Sequence, residues 1–278
     1  MENPMTEVTL PDARLVSAGD IALSVTDVGA GPAIVWLHGS GPGASGLSNF
    51  RANLPAFADH RNLVFDHPRY GLSDRPTING PLIPHSGEHI LAALDTLGVD
   101  TFAVVGNSFG GGVAAWLAAT APARVRSAVL MAPAGLQPPG IAIEDLPYGL
   151  QLIFKAMRDG VDRPLMETFI NTMVFDKSLA TPELIDARLA AAQRNNPEWE
   201  GRPIVGDLSE VVPLIQAPIQ LLWGKEDKFV LPAWSTYWLD RLSDVELHVL
   251  PHCGHWFQYE LKDRFNELAG EFIRRNEQ

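Results

Sequence analysis

Three side chains far apart in the chain have the types that nucleophilic catalysis needs: Ser108, Asp227 and His255. Ser108 is the centre of Gly106-Asn107-Ser108-Phe109-Gly110, with the apolar run FAVV before it and an alanine-rich stretch behind. A strand that turns sharply into a helix strains its central residue and crowds the positions two away, so glycine is required there. The turn lifts the serine oxygen clear of the sheet and aims a helix N-terminus at the reacting centre. A serine hydroxyl is a weak nucleophile until a base takes its proton. On such a scaffold an acid and then a histidine follow, each beyond the carboxyl end of a later strand. Asp227 lies in LLWGKED and His255 in VLPHCGHWF, each just past an apolar run. Glu226 is the neighbouring alternative acid, but an adjacent side chain points elsewhere, which favours Asp227. A backbone oxyanion hole would combine the N–H of Phe109 with that of Ser40, in the small-residue loop His38-Gly39-Ser40-Gly41-Pro42-Gly43-Ala44. His38 is expected to brace this loop.

The elements that must position these groups alternate along the chain. Strands are expected at Ile21–Val28, Ala33–Leu37, Asn62–Phe65, Phe102–Val105, Ala128–Met131, Ile219–Trp223 and Glu246–Leu250. Helices are expected at Leu47–Ala58, Ser86–Leu97, Phe109–Thr120, Ala233–Leu242 and Tyr259–Arg275. Runs such as AIVWL and IQLLW are apolar without alternation, which suits strands covered by helices on both faces and hence a mainly parallel sheet. The fold class is α/β. Residues 135–209 break the rhythm: they show no strand signal but carry helical blocks near Tyr148–Arg158, Leu165–Met173 and Pro182–Arg194. Thr181 as N-cap and Pro182 at the first helical position mark the start of the last block. The expected organisation is a core of residues 1–134 and 210–278 with a helical cap, 135–209, inserted between two strands.

Composition narrows the function. The 278 residues are 46% hydrophobic and carry 33 acidic against 21 basic side chains, a net charge of −12. That surface repels phosphate backbones and anionic lipid, so neither nucleic acid nor membrane is an expected partner. No apolar run is long enough to span a bilayer. The N-terminal MENPMTEVTLPDARL lacks the basic start and apolar block of a secretory signal. Cys253 is the single cysteine; no internal disulfide can form, and a reducing cytoplasm is the expected location. The short gaps among His252, Cys253 and His255 fit poorly around one ion, so no metal and no cofactor is expected. His60, His67, His85, His89 and His248 read as surface or packing residues. An anionic small substrate would be repelled by the overall charge and would need a dedicated local cation.

The loop HGSGPGA, the elbow GNSFGG, the segment VFDKSLATPELIDARL and the terminal CGHW together resemble the meta-cleavage-product hydrolases. These α/β-hydrolase enzymes cleave a carbon–carbon bond in 2-hydroxy-6-oxo-2,4-dienoates formed when aromatic or steroid rings are opened. The resemblance implies the Ser108–Asp227–His255 triad. It also implies substrate contacts from Gly41, Asn49, Asn107, Ser178, Arg188 and Trp256, with Phe175 as a lid aromatic facing the pocket. Arg188 would be the required cation, although periodicity alone makes it an exposed helix charge. Arg69, in DHPRYGLSD, stands where such proteins usually carry glycine. Association of identical copies is a further implication. A carboxylesterase or lactonase using the same triad, and a non-catalytic ligand-binding protein on the same fold, are the alternative readings.

Overall fold

The computed structural model describes residues 10–141, 145–194 and 201–277. The N-terminal stretch read for a signal therefore lies largely outside the described residues, as do residues 195–200 of the segment expected to form a cap.

An eight-stranded sheet forms the centre. Its members are β1 (Arg14–Ala18), β2 (Ile21–Val28), β3 (Ala33–Leu37), β4 (Arg61–Phe65), β6 (Phe102–Asn107), β7 (Val125–Met131), β9 (Ile219–Gly224) and β10 (Val245–Leu250). They are ordered β1-β2-β4-β3-β6-β7-β9-β10. Strand β2 runs antiparallel to both its neighbours, and the rest of the sheet is parallel. Strands β3, β6 and β9 are buried at every position, because helices cover both faces. One face carries α2 (Leu82–Thr96) and α3 (Phe109–Thr120); Phe265, Leu268 and Phe272 of α9 (Lys262–Arg275) pack on the other with Trp36 and Phe57.

The chain feeds outward in opposite directions from β3 and β6, so the loops leaving their carboxyl ends diverge and open a crevice there. The backbone marks the same edge. Among the described residues, the non-glycine residues with positive φ are Arg69 (71°), Ser108 (54°), Ala132 (41°) and His252 (60°). They follow β4, β6, β7 and β10. Such conformations persist only where surrounding contacts over-determine them, as they do at functional edges.

Residues 135–209 contribute α4 (Tyr148–Asp159), α5 (Arg163–Met173) and α6 (Pro182–Arg194) between β7 and β9. The start of α6 is as expected: Thr181 Oγ1 accepts from the Leu184 N–H at 3.2 Å.

Several expectations need correction. The 135–209 stretch is not free of strand, since β8 (Gly201–Ile204) pairs in parallel with β5 (Ile78–Pro81) in a separate two-stranded sheet. The helix expected over Leu47–Ala58 ends early: α1 (Gly46–Phe50) stops, and Pro55 restarts the chain as a 3-10 turn over Leu54–Phe57. The helix expected over Ala233–Leu242 is the shorter α7 (Ser235–Leu239) after a 3-10 turn, and a short α8 (Phe257–Glu260) precedes α9. No helix among the described residues is long and apolar enough to cross a membrane.

Candidate active site

Ser108 sits at the junction of β6 and α3 with φ 54° and ψ −114°, outside the comfortable regions for an L-residue. Three backbone hydrogen bonds hold it there. Its N–H donates to Met131 O at 2.8 Å, and its carbonyl accepts from Gly112 N–H at 3.0 Å and Ala134 N–H at 2.9 Å. The flanking glycines are sterically obligatory. A Cβ on Gly106 would lie 2.2 Å from Gly110 O, and one on Gly110 would lie 2.1 Å from Leu37 O. The elbow is thus pressed against the end of β3, which brings the 38–44 loop onto it: a Cβ built on Gly39 would stand 3.3 Å from Ser108 Cβ. Ser40 follows directly, and Phe109 opens α3, where the first N–H groups have no partner within the helix.

Asp227 and His255 meet beyond β9 and β10, with Oδ2 accepting from Nδ1 at 2.7 Å. Both are buried. The second oxygen, Oδ1, accepts from the N–H groups of Phe229 at 2.7 Å and Val230 at 3.0 Å, which fixes the carboxylate plane. The Phe229 ring stacks on the imidazole at 4.8 Å and 18°. Nδ1 is occupied, so Nε2 is the nitrogen left for proton transfer. Glu226 faces elsewhere, with Oε2 accepting from Cys253 N–H at 3.1 Å.

Arg188 is buried, 3% exposed, at the junction of α6 with the 38–44 loop. Its Nε donates to Pro42 O at 3.2 Å, and its guanidinium lies 5.5 Å from the centre of the Trp256 ring. Gly41 and Gly43 make the approach possible. Both have positive φ, and a Cβ on Gly43 would meet Arg188 O at 2.2 Å. Burial pushes the guanidinium down to about 10, with Tyr70 working in the opposite direction. It remains a cation at neutral pH, poorly solvated and therefore strongly attractive to an anion. Tyr70 is itself pushed up to about 12 by burial and stays a neutral phenol.

The other expected contact residues divide. Trp256 Nε1 donates to Asn49 Oδ1 at 3.2 Å, while Asn49 Nδ2 donates to Ser45 O at 3.0 Å. Asn107 Nδ2 donates to Met131 O at 3.4 Å and His255 O at 3.3 Å. These three are buried, and the polar groups named are engaged with protein, Asn107 with the carbonyl of His255 itself. Phe175 and Ser178 are not brought to the site. Phe175 is 42% exposed with its ring against His252, and Ser178 lies in an exposed turn, where its N–H and Oγ donate to the capping carboxylate of Asp176. Phe169 of α5 is the aromatic that reaches inward: it stacks edge-on with Phe229 at 5.3 Å, and its Cζ would meet a Cβ on Gly41 at 2.9 Å.

His38 and His67 are buried and neutral. His38 Nδ1 donates to Gly39 O at 2.8 Å and its Nε2 accepts the His67 N–H at 3.1 Å, while His67 Nε2 donates to His38 O at 3.0 Å. Desolvation pushes both below the ordinary histidine value. They brace the loop, as expected for His38.

Sequence reasoning missed Phe229 as a platform for the imidazole. Its signal was the spacing D-x-F-V, in which an aspartate accepts from the N–H groups two and three residues on.

The family model for the alpha/beta hydrolase family matches residues 34–268. A 2-hydroxy-6-oxo-6-phenylhexa-2,4-dienoate hydrolase of Burkholderia cepacia is 33% identical over 90% of this chain and 91% of its own. A 2-hydroxy-6-oxononadienedioate/2-hydroxy-6-oxononatrienedioate hydrolase of Comamonas testosteroni is 32% identical, with the same coverage of each chain. Among solved structures, the meta-cleavage product hydrolase CumD of Pseudomonas fluorescens IP01 superposes with a TM-score of 0.83 at 29% identity, covering 96% of this chain and 98% of the other.

Proposed function

The chain belongs to the alpha/beta hydrolase family, and within it to the meta-cleavage-product hydrolases; from that premise we propose that it hydrolyses the C5–C6 bond of a 2-hydroxy-6-oxo-2,4-dienoate. The observation that carries this reading is a buried, desolvated Arg188 stacked on Trp256, the residue next to His255. Simple ester cleavage needs no such cation.

Hydrolysing a carbon–carbon bond expels a carbanion, which is prohibitive unless the charge delocalises. Ketonisation solves this by moving the 2-hydroxyl proton to C5. With its dienoate end at Arg188, the substrate gains stabilisation of the negative charge that develops on the 2-oxygen. The 6-oxo oxygen would lie in a hole formed by the N–H groups of Ser40 and Phe109. Ser108, with His255 as base, delivers oxygen to C6 either by its own attack or by activating water. The C5–C6 bond then breaks, its electron pair passes into the dienolate, and a proton returns to give the 2-hydroxydienoate. The carboxylic acid leaves directly where water attacked C6, or, where Ser108 attacked, after a water activated by His255 hydrolyses the acyl-serine ester and restores the hydroxyl. Asp227 holds the imidazole tautomer and stabilises the imidazolium. Asn107, Asn49 and Trp256 hold the walls, Gly41 permits close approach of main chain and guanidinium, and Phe169 lines the substituent side. In this reading residues 135–209 act as a lid over a core of 1–134 and 210–278, and Phe175 and Ser178 serve local structure. A cytoplasmic setting fits a chain whose single cysteine is buried.

The test compares Arg188→Ala with the parent on two substrates. Loss of at least about a hundredfold in bleaching of the dienoate, with aryl-ester hydrolysis within a few-fold, is expected for a charge that matters only when the dienolate forms. Equal losses would remove the electron-sink role, and ester turnover without dienoate decay would establish the esterase reading.

A further inference from the structure

The loop that carries His255 is held from outside the triad, and the grip comes from a side chain with no role in the chemistry above. Glu260 ends α8, five residues beyond the histidine. Its two carboxylate oxygens face different parts of the chain. Oε1 accepts from Gly254 N–H at 2.7 Å, and Oε2 accepts from Phe175 N–H at 2.6 Å. Gly254 immediately precedes His255, whereas Phe175 lies in the connector between α5 and α6, the helix that bears Arg188. A third bond closes the arrangement: His255 N–H donates to Met173 O at 2.8 Å. Gly254 fits because a Cβ there would stand 2.4 Å from that same Met173 carbonyl. Backbone donors from two segments thus converge on one carboxylate that spans them.

We propose that Glu260 is a positioning residue: its carboxylate ties the His255 loop to the α5–α6 connector, so that the height of the imidazole over Ser108 is set relative to the helical segment carrying Arg188. The placement rests on the reading of His255 as the base. A half-buried carboxylate is costly to desolvate, and burial pushes Glu260 above the usual carboxylate range. Backbone bonds from Phe175, Gly254 and Asp176 and the nearby Lys177 offset part of that cost. Only an ionised carboxylate can accept on both sides at once; an amide of the same shape accepts on one side and presents N–H to N–H on the other. Displacements of about 1 Å in a catalytic group cost on the order of a hundredfold in rate, so a slack tether should be visible in turnover.

Glu260→Gln keeps the shape and breaks one grip. The expected result is a kcat lower by about tenfold or more, KM within about twofold, and a melting temperature within a few degrees of the parent. The loss should be the same for the dienoate and for an aryl ester, because both need His255. Phe175→Pro, at an exposed residue, deletes one of the two connector N–H groups that reach Glu260, that of Asp176 being the other, and should lower kcat by a smaller factor that still exceeds twofold. Combined, the two should cost no more than the larger single loss, since each cuts the same tether. A kcat within twofold of the parent in either folded variant, or full additivity, overturns the proposal. Should Glu260→Gln fail to fold, Phe175→Pro alone decides. If the parent cleaves the ester but not the dienoate, the carbon–carbon reading falls, while the ester rates still decide the role of Glu260.

Discussion

The Asp227 carboxylate has little freedom: one oxygen meets His255 at 2.7 Å and the other accepts two backbone N–H groups. Asp227→Asn can keep those backbone bonds only by turning its NH2 toward Nδ1, which forces the imidazole into the wrong tautomer. The expected outcome is a folded protein with kcat reduced on the order of 10³–10⁴-fold on dienoate and ester alike, read by steady-state kinetics. His38 and His67 make a second prediction. Burial depresses both in the folded state below the value near 6.5 that they regain on unfolding. The unfolded chain therefore binds more protons as pH falls through 6.5. The stability that these neutral rings contribute is complete above that value and is lost below it, by up to about 1.4 kcal/mol per pH unit for each ring. Urea titrations at pH 7.5, 6.0 and 5.0 should show the decline, and a flat profile down to pH 5.0 would contradict it.

At the scale of elements, the elbow is the least tolerant part of the fold. Gly106→Ala or Gly110→Ala would drive a methyl to within 2.2 Å of a carbonyl oxygen, with backbone on both sides of the contact. Neither variant should accumulate as folded protein. Gly98 also has positive φ but meets nothing within 4 Å; Gly98→Ala should cost about 1 kcal/mol, a few degrees in melting temperature. The same contrast explains what could be read from the chain alone. Strand β3 and helix α3 were legible to the residue, because a fully apolar run between turns and a glycine-bounded helical stretch each leave a single interpretation. Strand β1 exposes three of its five residues at the sheet edge and gives little apolar signal. Strands β5 and β8, INGP and GRPI, contain the residue types that strands avoid. Within the site, motif spacing placed Ser108 at a strand-to-helix turn and singled out Asp227 and His255, which the structure joins by a hydrogen bond. It could not say that the Asn49 and Asn107 side chains turn toward protein partners, or that Phe175 turns outward and Phe169 inward. Those outcomes depend on how α5 and α6 settle against the 38–44 loop, a contact between segments distant in sequence. Glu260 left no signal for the same reason.

At the scale of the molecule, a net charge of −12 surrounds two guanidiniums buried among the described residues, that of Arg188 and that of Arg69, the latter donating to Pro76 O. The long-range field opposes an anionic substrate, while the short-range attraction of Arg188 is shielded from solvent. Added salt screens the first far more than the second, since the Debye length falls to about 10 Å at 0.1 M. The kcat/KM for the dienoate should therefore rise between 10 and 150 mM salt while that for a neutral aryl ester stays constant; a fall for the dienoate would mean that surface cations steer it inward. The most direct test of the whole account is the fate of the carbon skeleton. Purified protein is incubated in heavy-oxygen water with dienoates bearing methyl, phenyl or steroid-derived groups at C6, and the products are identified by mass spectrometry. The account predicts that at least one substrate yields equimolar 2-hydroxydienoate and carboxylic acid, with solvent oxygen entering the acid alone. An intact dienoate in every reaction, under conditions where an aryl ester is consumed, would contradict it.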